Sequence, residues 1–176
     1  MLKKYLIPDR IFKDIYEITP EFLTSQGVRA LVLDIDNTLV TYDDPEPTPP
    51  VLEWFRAMNA AGVSISFVSN NEHERVERFN RDLGFYAHGK SAKPFGKYIR
   101  RAMAHMGSDE SSTALIGDQL LTDIAAGKKA GLRLSLLVPP IKDKTTLFFR
   151  SKRKLELPYI AKYYKLHPEE ERIWIY

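Results

Sequence analysis

Asp34 and Asp36 stand one residue apart at the end of an apolar run, in the stretch RALVLDIDNTLV from Arg29 to Val40. A carboxylate at the rim of a buried segment is costly unless something compensates its charge, and a bound cation is one such partner. A second acid-bearing stretch, LIGDQLLTD, supplies Asp118 and Asp123, and Gly117 beside them permits close backbone approach. Taken singly, each stretch is also explained as a strand-ending turn or a helix cap. Taken together and in chain order, they offer hard oxygen ligands. With no cysteine and only scattered histidines (His73, His88, His105, His167), those ligands point to Mg²⁺.

Two further groups suit a phosphate. Ser69 and Asn70, at the end of SISFVSNN, offer a hydroxyl, an amide and backbone donors, although they also fit a capping box. Lys93 precedes Pro94 in SAKP, where a helix is expected to begin; a helix N-terminus favours anions and the ammonium adds a point charge.

The elements that must position these groups alternate. ALVLDI, VSISFV, TALIGD and LRLSLLV read as strands, and their near-continuous apolar character suits a parallel sheet. Between them lie helical patterns: one with Leu52, Phe55, Met58 and Ala61 on its apolar face, one from Glu72 to Leu83, one carrying Tyr98, Ile99, Ala102, Met103 and Met106, and a short one in TDIAAGKKAG. The fold class expected is α/β, a three-layer Rossmannoid sandwich around a mostly parallel sheet. Parallel strands bring their carboxyl ends, and with them Asp34, Ser69 and Asp118, to one edge. The chain divides into an N-terminal extension (1–28) packed on the core, a core (29–138) and a basic, aromatic C-terminal segment (139–176).

DIDNT, VSNN, SAKP and GDQLLTD, in that order, resemble the four motifs of the haloacid dehalogenase (HAD) superfamily of phosphatases. LVLDIDNTLV, GDQLLTD and the N-terminal extension resemble more narrowly its subclass IIIA, the YqeG-like branch that includes phosphatidylglycerophosphate phosphatases. The resemblance implies an aspartyl-phosphate mechanism. Asp34 would be the nucleophile and Asp36 the acid/base, starting protonated, with its backbone carbonyl on Mg²⁺. Thr38, Ser69, Asn70 and Lys93 would serve the phosphate, Thr38 by positioning its loop, and Asp34, Asp118 and Asp123 would complete the metal site. A receiver-type phospho-accepting domain shares an aspartate, Mg²⁺ and a lysine, but has no need of Asp36.

The gaps after Val40 and after Asn71 are too short for a large cap domain, so the site is expected to be open to a large phosphate monoester, a phospholipid included. The C-terminal segment places Lys142, Lys144, Arg150, Lys152, Arg153 and Lys154 around Leu147, Phe148 and Phe149. That mixture suits peripheral contact with an anionic membrane, and equally a packed helix with solvated charges. A soluble sugar phosphate, nucleotide or phosphoprotein is the alternative substrate. The net charge of +3 is too small to announce a nucleic-acid partner. No apolar run approaches the roughly 20 residues that span a bilayer, so a cytoplasmic location, extending to the inner membrane face, is expected.

Overall fold

The computed structural model describes residues 2–142 and 147–173, with residues 2, 3 and 147–150 as backbone only. Six strands form one sheet: β1 (Arg10–Ile11), β2 (Ala30–Leu33), β3 (Ser64–Val68), β4 (Tyr86–His88), β5 (Thr113–Gly117) and β6 (Leu134–Leu137). They lie in the order β1-β6-β5-β2-β3-β4, and every pairing is parallel. The strand order reverses around β2, so the loops after β2, β3 and β5 part at the same edge.

A short helix, α1 (Pro20–Ser25), precedes β2, and period-two alternation assigns the sheet's faces. Leu31, Leu33, Ile65, Phe67, Ala114 and Ile116 pack toward α2 (Pro49–Ala60) and α3 (His73–Asn80), where Phe67 meets Phe55, Phe79 and Phe85 at ring distances of 5.3 to 5.7 Å. Val32, Val68 and Leu115 pack toward α4 (Lys97–Met106) and α5 (Ala125–Ala130). The three layers anticipated from the sequence are present.

Several boundaries differ from the sequence expectation. The buried stripe of α2 is Val51, Trp54, Phe55 and Met58, with Ala61 exposed, because Trp54 turns inward and its indole N–H donates to the Ile18 carbonyl at 3.0 Å. Pro94 does not start a helix; it lies in a turn, and α4 begins three residues later at Lys97. In the N-terminal segment Ile11, Ile15 and Ile18 are buried, and Ile11 belongs to an unforeseen edge strand beside β6, a two-residue strand being too short to show a periodicity.

The C-terminal segment forms α6 (Leu147–Leu166). Ile160, Tyr163 and Tyr164 bury against Ile11, Leu120, Ile124 and Leu137, and Tyr163 accepts the Ile11 backbone N–H at 3.2 Å. Lys144 and the side chains of Leu147, Phe148, Phe149 and Arg150 lie outside the described residues.

Gly117 is the tightest point in the packing that forms the site. A β-carbon there would lie 2.4 Å from Cβ of Asp123, which sits in the π-helical turn Leu120–Ile124 leading into α5. Gly117→Ala is therefore expected to cost about 1–3 kcal/mol by urea denaturation and to move the Asp123 carboxylate. An unchanged unfolding midpoint would show that the turn yields freely.

Candidate active site

Asp34 follows β2 and is held from below by its backbone N–H donating to the Ile116 carbonyl at 3.0 Å. The chain then reverses. Asn37 takes the left-handed conformation (φ 67°) that asparagine tolerates better than most residues, and its N–H donates to the Val40 carbonyl at 2.6 Å. This turn explains why an asparagine follows the two acids.

Asp34, Asp118 and Asp123 are all buried, and each offers a carboxylate oxygen within 4.8 Å of the others'. The Lys93 ammonium bridges two of them, 2.6 Å from Asp34 Oδ1 and 2.7 Å from Asp123 Oδ1. Asp118 gives its Oδ2 to the Arg153 guanidinium, while its Oδ1 is buried with no hydrogen-bond partner. A buried carboxylate oxygen without a donor among hard oxygen ligands fits a divalent cation.

Lys93 is aimed by Asn70. The Asn70 amide oxygen accepts from the Ser91 hydroxyl (2.9 Å) and the Lys93 N–H (2.7 Å), and its amide nitrogen donates to the Lys93 carbonyl (3.2 Å). Those bonds hold a loop in which Lys90 and Ala92 both have positive φ. The Asn70 side chain is thus engaged with the loop while Asn70 also lines the cavity, where the sequence expectation has it holding the phosphoryl group.

Thr38, expected to position its loop, is buried within the turn after Asp36 and borders a second depression, with Ile15 and Pro139, rather than the cavity at Asp34. Its hydroxyl has no hydrogen-bond partner. Asp36 lines the cavity, but its Oδ1 accepts from Arg75 Nε (3.1 Å) and its Oδ2 from the Asn71 amide (2.8 Å). Arg75 also donates to the Pro45 carbonyl at 2.9 Å, tying the proline-rich loop to α3.

The cavity is about 240 Å³. Ser69, Asn70 and Asn71 line it from the β3 side, and Gln119, Thr122 and Lys152 from the β5 side, around Asp34, Lys93 and Asp123. Arg75, Arg153 and Lys152 carry no motif, and they arrive from helices distant in sequence. In the sequence Lys152 and Arg153 read either as membrane-facing charges or as solvated charges on a packed helix. Instead, Arg153 is buried, with Nη1 2.6 Å from the Asp118 carbonyl and 3.2 Å from Glu156 Oε2, and Glu156 Oε1 accepts the Leu121 N–H.

Burial pushes the Asp34 carboxyl up to about 8, against the pull of Lys93 and helped by Asp123 and Asp118. Burial likewise raises Asp118 to about 7 despite Arg153. Lys93 is drawn down by its own burial, yet the Asp123 and Asp34 carboxylates outweigh this and lift it above its ordinary value.

Comparison with known proteins agrees with this geometry. Residues 4–131 match the haloacid dehalogenase-like hydrolase family. The chain belongs to that family. It is 40% identical over 156 residues to the probable phosphatase YqeG of Bacillus subtilis, covering 89% of this chain and 90% of that protein. A chloroplastic/mitochondrial phosphatidylglycerophosphate phosphatase 1 of Arabidopsis thaliana is 24% identical, and the alignment spans 92% of this chain but only 49% of the relative.

Among solved structures, the cobalt-bound deoxy-D-mannose-octulosonate 8-phosphate phosphatase of Haemophilus influenzae shares the fold. Its TM-score is 0.53 at 15% identity, over 78% of this chain and 92% of that one. An uncharacterized Listeria monocytogenes protein gives 0.52 at 13% identity, over 68% and 85%. The hydrolase match decides for an HAD phosphatase over a receiver-type domain.

The pKa values predict a pH signature for the metal-free protein. Asp34 and Asp118 are acids whose folded-state values lie above the unfolded value near 4. Across that window the folded protein keeps protons the unfolded chain has released, so stability falls as pH rises from about 4 toward 8. The lowered His88 works in the opposite sense, but it is a single imidazole with most of its surroundings open. In chelator, Tm should be several degrees lower at about pH 8 than at about pH 5.5, and Mg²⁺ should raise it more at the higher pH. A chelated Tm that climbs steadily over this range would contradict the assignment.

Proposed function

We propose that the chain is a Mg²⁺-dependent phosphomonoesterase that forms an aspartyl-phosphate on Asp34 and dephosphorylates phosphatidylglycerophosphate at the inner membrane surface. The observation that carries the chemistry is the convergence of Asp34, Asp118 and Asp123 on one point, with Lys93 bridging two of them. Mg²⁺ would be held by Asp34, Asp118 and Asp123 and the Asp36 backbone carbonyl, and when bound it supplies charge neutralisation for an incoming phosphate dianion.

Asp34 attacks phosphorus in line, the P–O bond to the alcohol breaks, and the phosphoryl group is carried on the Asp34 carboxylate. Lys93 shields the repulsion between that carboxylate and the dianion. Ser69 lines the cavity, where its hydroxyl would hold a phosphoryl oxygen, and Asn70 keeps Lys93 on target. Asp36 gives a proton to the leaving alcohol and takes one from the hydrolytic water, one group serving two steps in opposite directions. Both of its oxygens accept hydrogen bonds in the resting arrangement, so the acid role requires it to rotate away from Arg75 and Asn71.

The lipid substrate rests on less: the name of the 24%-identical relative and a cavity open to solvent. No helix among the described residues is long and apolar enough to cross a membrane, so contact with lipid would be peripheral.

Asp34→Asn and Asp36→Asn should fold with near-wild-type melting profiles and lose about 10³-fold or more in kcat. Near-wild-type hydrolysis by Asp34→Asn would refute the nucleophile. Magnesium-dependent phosphate release from phosphatidylglycerophosphate in mixed micelles, against soluble sugar phosphates and nucleotides, tests the substrate. A preference for the soluble esters would leave the chemistry standing and remove the lipid.

A further inference from the structure

We infer that Lys152, delivered by α6, forms with Gln119 a subsite for a second, phosphate-type anionic group carried on the leaving alcohol of the substrate. The inference rests on the phosphomonoesterase reading above and extends it to the part of the substrate that is not cleaved.

The placement of Lys152 is built rather than incidental. Its neighbour Arg153 is buried and locked to both the carboxylate and the carbonyl of Asp118, and Glu156, one turn further on, caps the Leu121 N–H. Ile160 and Tyr163 bury the next turns of α6 against Leu120 and Ile124. The backbone at residue 152 is therefore fixed beside the cavity, and the half-buried side chain turns into its wall.

The charge of Lys152 is the second observation. Of the two lysines on the cavity wall, Lys93 is committed to Asp34 and Asp123. Lys152 donates to the Gln119 amide oxygen, a neutral acceptor that the Thr122 hydroxyl also approaches at 3.2 Å. An ammonium has three donors. One serves Gln119, and no carboxylate among the described residues forms an ion pair with it. An ammonium at the mouth of a cavity, held by a neutral group, is poised for an anionic ligand.

Position separates this subsite from the phosphoryl site. Ser69 and Asn70 follow β3, on one side of β2, while Gln119 follows β5, on the other. With the phosphoryl group at Asp34 and Lys93, the alcohol it leaves extends along the wall, and a second anion on the Gln119 side meets Lys152. A phosphodiester or second phosphate on a glycerol-sized leaving group has that chemistry.

The test compares kcat/KM for two soluble esters. One is p-nitrophenyl phosphate, with no second anion; the other is the deacylated glycerol phosphomonoester that also carries a phosphodiester. Lys152→Met should lower the ratio of the second to the first by about tenfold, chiefly through KM. Lys152→Glu should lower it further, and Lys152→Arg should keep most of it. An equal loss on both esters, or no loss on either, would overturn the subsite. So would a loss seen only with long-chain lipid in anionic micelles, which would make Lys152 a surface contact. A wild-type protein that cleaves neither ester would instead defeat the phosphomonoesterase reading itself.

Discussion

Three carboxylates are buried together at one edge of the sheet, and the rest of the molecule is arranged around that constraint. Taking such charges out of water costs several kcal/mol per ion even after relaxation, and no hydrophobic packing returns it. Compensation has to come from fixed positive charge. Lys93 supplies it to Asp34 and Asp123, and Arg153 supplies it to one oxygen of Asp118. The second oxygen of Asp118 is left without a donor. The carboxyl groups of Asp34 and Asp118 accordingly sit well above their ordinary range. A divalent cation removes that tension, so binding it and stabilising the fold are one event.

Backbone devices make the convergence possible. The parallel strands β2 and β5 pair with Leu33 opposite Ile116, so Asp34 comes level with Gly117 and Asp118 leaves β5 one residue further along the same edge. Gly117 has no β-carbon to collide with Asp123, which can then fold back so that its Oδ2 accepts the Gln119 N–H at 3.0 Å. On the other flank, Asn70 spends its side chain holding a strained loop so that Lys93 reaches inward. The group nearest the chemistry on that side is therefore partly a scaffold.

The parts written locally were readable in the sequence. Asp34, Asp118 and Asp123 sit in short stretches where strand character gives way abruptly to polar residues, and a parallel sheet leaves those strand ends one place to go; Lys93 was singled out by its place in the motif order and by a helix start at Pro94 that the fold does not have. The parts that depend on long-range docking were not. Arg75 and Arg153 looked like any solvated arginine, because nothing in their own neighbourhoods shows that an aspartate from another element is waiting. Asn70 was visible as a polar group, but its orientation depends on a loop twenty residues later. The stripe of α2 was misplaced because the Trp54 partner is the carbonyl of Ile18, in a segment distant in sequence whose docking against α2 nothing around Trp54 signals. The role of Asp36 was read from its position after Asp34, and position alone does not reveal the arginine already holding it.

The C-terminal helix joins recognition to chemistry through a shared residue. Asp118 presents one oxygen to Arg153, which anchors α6, and turns the other toward the acidic cluster. Both oxygens belong to one carboxylate, so α6 is tied to the acidic cluster directly rather than through a loop. A site with no large cap has few other means of presenting side chains to the outer part of a substrate. A helix pinned to a carboxylate of the acidic cluster provides one, and it holds Lys152 in place without closing over the cavity. Openness to a bulky phosphate ester and discrimination among such esters are then compatible, because the discriminating wall is part of the same charge network that compensates the buried acids.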